Sequence, residues 1–262
     1  MTTKIFAVAN QKGGVGKTTT SVNLTASLAA TKRTVLLVDL DPQGNATMGS
    51  GVEKRDLGRS SFDVLMGECE ADAAILQLAD LGYDLIPANA DLTGAEVGLI
   101  DEIGRELRLR NALADVSAHY DYVIIDCPPS LNMLTVNALV AAHSVIIPTQ
   151  CEYYALEGLS ALVETIDKIR RYLNADLRIE GLLRTMFDPR NNLSNQVSQQ
   201  LIKHFGNKVY RTIIPRNVRL AEAPSHGLPA LIYDKSSNGA KAYLALAGEM
   251  RRRDESLVSS LS

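Results

Sequence analysis

Two lysines five positions apart, Lys12 and Lys17, stand in the glycine-rich stretch QKGGVGKTT at residues 11–19. A phosphate-binding loop of the form G-x-x-x-x-G-K-[ST] uses glycines so that backbone N–H groups can wrap around phosphate oxygens. Its lysine reaches the β- and γ-phosphates, and its hydroxyl ligates Mg2+. Gly16, Lys17 and Thr18 fill the last three positions of that pattern, with Gly13, Gly14, Val15 and Thr19 completing the cradle. Gln11 replaces the first glycine, and Lys12 adds a second cation. That cation could reach the same phosphates from the far side or extend to another nucleotide. Three acids invite related chemistry: Asp39 and Asp41 in VDLDPQGN, and Asp126 in YVIIDCPPS. A carboxylate beside a γ-phosphate can orient or deprotonate the attacking water, and one at a strand end can hold Mg2+ through a water.

These residues need elements to bring them together. KIFAVAN (4–10) is a short apolar run suited to a buried strand, and helical spacing follows over 17–30. Further strands are predicted at 33–40, 83–88, 121–127, 144–150, 178–187 and 209–215, and further helices at 104–118, 132–142, 155–173, 192–205 and 238–252. Such alternation predicts one α/β domain over residues 1–262, a doubly wound, mostly parallel sheet with helices on both faces. Ligands of such folds bind beyond the C-terminal strand ends, where the loop and all three aspartates fall. Pro42, Gly44, Gly49 and Gly51 predict a loop able to respond to nucleotide state, and Pro128 and Pro129 a second one.

Hydrophobic residues make up 46% of the 262 and aromatics 5%, with no Trp, which suits helices packed on a Val/Ile/Leu sheet. Cys69, Cys127 and Cys151 are odd in number and lack C-x-x-C spacing, so reduced thiols in the cytosol are expected. No signal sequence and no apolar run of about 18 residues predict a soluble chain without a membrane partner. Residues 254–262 are expected to form a flexible tail. The formal net charge is −3, yet residues 165–220 hold eleven Lys/Arg against four acids. That excess fits either a phosphate-binding face or a set of solvated helix faces.

The segments QKGGVGKTTT, LLVDLDPQGNAT, YVIIDCPPSL, QCEYYALEG and IPRNVRLAEAPSHG together resemble the ParA/Soj chromosome- and plasmid-partition ATPases, within the wider group of MinD division ATPases and the nitrogenase iron protein. The resemblance implies ATP and Mg2+ as cofactors and weak intrinsic ATP hydrolysis. It also implies an ATP-dependent homodimer, with Lys12 crossing to the partner's nucleotide. By the same resemblance Asp41 serves hydrolysis, Thr18, Asp39 and Asp126 the metal, the two aspartates through water, and Pro215 and Asn217 the adenine. Arg190 and Arg219 match positions that face non-specific duplex DNA, and a ParB-type centromere-binding protein is the implied partner, on the nucleoid. The tail EMRRRDESLVSSLS lacks the apolar stripe of a membrane helix, and a chain starting three residues before its first strand reads as the short form without a helix-turn-helix domain. Two alternatives share the ATP chemistry: an ATPase that positions a protein cargo, and a small-molecule ATP-dependent ligase of the same fold.

Overall fold

The computed structural model describes residues 3–55 and 57–259. In chain order its elements are β1 (Lys4–Val8), α1 (Lys17–Ala29), β2 (Val35–Asp39), α2 (Asn45–Gly49), α3 (Ser61–Met66), β3 (Leu76–Leu78), β4 (Tyr83–Ile86), α4 (Leu92–Gly98), α5 (Arg108–Ser117), β5 (Tyr122–Asp126), α6 (Met133–Ala141), β6 (Ser144–Gln150), α7 (Ala155–Tyr172), β7 (Arg178–Phe187), α8 (Asn192–Phe205), β8 (Val209–Pro215), α9 (Val218–Glu222), α10 (Ala230–Tyr233) and α11 (Asn238–Ser259). Every residue of β2 and β5 is buried, because helices cover both faces.

Alternate side chains feed two cores. Ile5 and Ala7 of β1 join Val123 and Ile125 of β5 beneath α5 to α8, through residues such as Leu113, Leu134, Leu162 and Leu201. Phe6 and Val8 join Tyr122 and Ile124 on the other face, beneath α1 and α11, through Leu24, Leu28, Tyr243 and Leu246. The sheet order is β3-β4-β2-β5-β1-β6-β7-β8. All neighbours run parallel except β3 with β4. The winding changes side at β1, which lies between β5 and β6, and this opens a crevice at its C-terminal end.

Two predicted elements differ in detail. The 104–118 helix begins as a 3-10 turn at Arg105–Leu107 and becomes α-helical only from Arg108, because Gly104, at φ 70, breaks the backbone before it. Helical backbone also continues through 254–259, where a tail was expected, while residues 260–262 of that tail lie outside the described residues.

Candidate active site

The loop leaving β1 is bolted at both ends. Asn10 donates Nδ2 to the Pro148 carbonyl on β6 at 2.7 Å, and its Oδ1 accepts the Lys12 N–H at 3.0 Å. Farther along, the Thr185 hydroxyl on β7 donates to the Val15 carbonyl at 2.8 Å. Gly14 and Gly16 take φ 72 and 87, a region that disfavours any side chain. A Cβ added to Gly13 or Gly14 would meet nothing within 4 Å, so an open cradle lies before the loop. Gly16 caps α1 without a side-chain bond, leaving the first-turn N–H groups to a ligand.

The two lysines part company. Lys17 is 7% exposed, lines the cavity and donates Nζ to the Lys12 carbonyl at 3.2 Å. Burial lowers its pKa, while Asp126, Cys127 and Asp41 pull it back up. Lys12 is not part of the cavity lining; its amine pairs with Glu152 at 2.5 Å on the rim, with side chains 40% and 46% exposed.

Asp39 and Asp126 are register partners at the ends of β2 and β5. Both are fully buried, and burial pushes both carboxyls up, Asp126 further because Asp39 stands beside it. Ser21, one turn into α1, donates to Asp126 Oδ1 at 2.7 Å, and Asp126 Oδ2 is buried without a partner. A magnesium ion at the loop fits this donor set: the buried Asp126 carboxylate with the Thr18 hydroxyl beside it, and a glycine cradle for phosphates. Both oxygens of Asp39, in contrast, are occupied by the following loop. Oδ1 accepts the Asp41 N–H at 3.0 Å, and Oδ2 accepts the Thr47 N–H and hydroxyl at 2.8 Å each. Asp41 lines the cavity and accepts the Gln43 N–H at 3.0 Å. Gly44 then turns at φ 60 so close to the Ala88 carbonyl that a Cβ would sit 2.6 Å from it.

The cavity measures about 500 Å3. Its glycine end holds Lys17, Thr18, Thr19 and Asp41, and its far wall is Met186, Ile214, Pro215, Leu220 and Tyr243, which suits a flat apolar ring. Asn217 lines the same wall while its Oδ1 caps α9 by accepting the Leu220 N–H at 3.3 Å. Sequence reasoning overlooked Asn10, Ser21, Thr47, Glu152 and Thr185. Of these only Ser21, a polar residue one turn after Lys17 on a sheet-facing helix, carried a local signal.

The basic segment does not form one face. Arg184 is 7% exposed and spends its guanidinium on Ser198 and the Tyr210 and Arg211 carbonyls, so it is internal glue. Arg190 lies outside the cavity, in a bidentate pair with Asp188 at 2.9 Å. Arg219, on α9, pairs with Glu222 at 2.7 Å and Asp234 at 3.4 Å. Among the described residues, no helix is long and apolar enough to cross a membrane.

A parallel sheet, a glycine loop opening a helix, and acids at adjacent strand ends define a P-loop nucleoside triphosphatase. The sequence matches the AAA domain family over residues 3–179. It is 56% identical to the sporulation initiation inhibitor protein Soj of Bacillus subtilis, over 94% of this chain and 98% of that protein. It is 52% identical to the chromosome partitioning protein ParA of Myxococcus xanthus, over 96% and 89%. Among solved structures, the cobyrinic acid a,c-diamide synthase of Mycobacterium smegmatis with bound ADP and magnesium superposes with a TM-score of 0.85. The two are 42% identical, over 97% of this chain and 96% of that one. The chain belongs to the Soj/ParA family of partition ATPases. It is an ATPase, and its cofactors are ATP and Mg2+.

Proposed function

We propose that the chain partitions DNA by an ATP-gated cycle. Two ATP-bound subunits join across their nucleotide rims, hold duplex DNA without sequence preference, and let go when a ParB-type centromere-binding partner stimulates hydrolysis. The observation that carries this reading is the division of labour between Lys17, buried in the cavity, and Lys12, half exposed and held outside it by Glu152. A cation in a phosphate loop that does not face its own cavity suits a phosphate on a second subunit.

Within each subunit, loop N–H groups from Gly13 to Thr19 and the Lys17 amine bind the β- and γ-phosphates, and Pro215 and Asn217 flank the base. Bound Mg2+ would withdraw charge from the phosphate oxygens. Thr18 would hold it directly and Asp126 through a water, with Ser21 fixing the carboxylate. Asp39 supports that site by anchoring the Asp41–Thr47 loop. Asp41 orients the attacking water and takes its proton.

Size analysis with a non-hydrolysable ATP analogue tests the division. Lys17→Ala should weaken nucleotide binding by about two orders of magnitude, the scale of a lost charge-assisted contact of about 3 kcal/mol. Lys12→Ala should keep monomer affinity within a few-fold and lose the dimer. An undiminished dimer in Lys12→Ala removes the cross-subunit role.

The name of the M. smegmatis neighbour favours a second reading, an ATP-dependent amide-forming ligase. The partition-named relatives are more alike in sequence, at 52% and 56% against 42%. A downstream gene for a centromere-binding protein supports partition; a chemotaxis operon would point to a protein cargo instead.

A further inference from the structure

Partition as read above needs a DNA surface, and Arg190 and Arg219 are a weak one by themselves. Each already has carboxylate partners within its own chain: Asp188 for Arg190, and Glu222 and Asp234 for Arg219. A DNA phosphate must compete with those pairs. Another group of cations has no such partner. Arg178, Lys208, Arg211 and Arg252 are exposed and form no ion pair with a carboxylate among the described residues. All four line one open groove of about 1090 Å3 between β8, the end of α8 and α11.

Topology explains the gathering. The basic segment contains β7, α8 and β8, and these form one outer edge of the sheet. The groove's two acids add little free negative charge. Both Glu249 oxygens already accept β8 backbone N–H groups at 2.9 and 2.8 Å, and one also accepts Arg253 at 2.9 Å. Glu180 is partly buried, which raises its pKa, and it accepts the Ser144 hydroxyl at 3.3 Å. Strand β8 is seven residues long, so the edge runs roughly 20 Å. That length matches about six phosphates along one DNA strand at 3.4 Å spacing.

We infer that duplex DNA runs along this outer edge, its phosphates neutralised by Lys208, Arg211, Arg252 and Arg178 in the β8–α11 groove, in addition to Arg190 and Arg219. The contacts are to phosphates, so the path adds affinity and salt dependence without sequence preference.

The test measures binding of a random-sequence duplex to the full chain with a non-hydrolysable ATP analogue, across a salt series. The triple variant Lys208→Glu, Arg211→Glu and Arg252→Glu should lose at least tenfold in affinity and flatten the log–log salt slope by about three per subunit. Its nucleotide affinity and dimer should be unchanged. A control of equal charge change on exposed sites away from this edge, Lys32→Glu, Arg55→Glu and Arg59→Glu, should lose less than threefold. A groove triple that behaves like the control overturns the inference. Acetylation footprinting of the wild-type protein reads the same contact without mutation: duplex should shield Lys208 and leave Lys32 reactive. Equal reactivity of Lys208 with and without duplex also overturns it. Wild-type protein that binds no duplex with the analogue would instead overturn the DNA-binding reading on which this rests.

Discussion

At the scale of single residues, the site separates groups that meet ligand from groups that hold those groups in place. Asp41 belongs to the first kind: it lines the cavity, and its carboxylate accepts the Gln43 N–H through Oδ1, which leaves Oδ2 for a water. Asp41→Ala should therefore bind ATP within a few-fold of wild type and dimerise while releasing almost no phosphate. Normal turnover in that variant would transfer the role to another acid. Thr185 belongs to the second kind. Its hydroxyl satisfies the buried Val15 carbonyl from across the sheet, and leaving such a carbonyl unpaired costs about 1–3 kcal/mol. Thr185→Val should weaken ATP binding about tenfold and lower the thermal midpoint by a few degrees, and Thr185→Ser should restore both. If the Val variant melts earlier yet binds ATP normally, Thr185 serves the core alone. The first kind of residue was legible in the sequence, because a phosphate loop is written in consecutive letters and Asp126 ends an apolar run. Thr185 was not, since its partner is 170 positions away and nothing local marks it.

At the scale of elements, burial decided what could be read. The central strands are apolar on both faces and stand out as runs, whereas β3 is three residues, LQL, with an exposed Gln77 at its centre. Helix α4 carries two glycines in seven residues, which hides its periodicity. The outer edge of β8 shows a device that no pattern announces. Glu249 on α11 turns its carboxylate onto the N–H groups of Arg211 and Thr212 and the Thr212 hydroxyl, and so clasps the last helix to the last strand. The clasp also occupies donors that an open edge would offer to another strand. Burial raises this carboxyl's pKa, but the donors outweigh it and the net shift is downward. A folded pKa below the unfolded one means stability present above the ordinary carboxylate range and lost as pH falls through the folded value. Glu249→Gln should cost about 2 kcal/mol at pH 7, or roughly 4–8 °C in thermal midpoint. The gap to wild type should close on acidification below the ordinary carboxylate range. A gap that persists unchanged at low pH would mean that the charge of Glu249 contributes nothing.

At the scale of the whole molecule, charge and symmetry together bear on how ATP could govern DNA. The chain is acidic overall, at −3, so a single subunit meets DNA with a net repulsion and one modest basic edge. Affinity for a polyanion depends exponentially on the number of phosphates neutralised, because each neutralised phosphate releases a counterion. Joining two subunits doubles that number along one duplex, and the gain is far more than twofold. DNA binding should therefore be weak with ADP and strong with a non-hydrolysable ATP analogue, with the salt slope about twice as steep in the second case and no preference among sequences. Arg190 and Arg219 refine the expectation. Arg219 sits on α9, whose first turn Asn217 caps and whose Leu220 walls the nucleotide cavity. Arg219→Ala should lower DNA affinity a few-fold while leaving ATP affinity and the dimer intact, and Arg190→Ala should do the same. Measuring nucleotide and DNA binding on one preparation separates the possibilities for Arg219: parallel loss of both would make it part of the nucleotide wall. Equal DNA affinity with ADP and with the ATP analogue would break the link between nucleotide and DNA, and with it the cycle proposed for this chain.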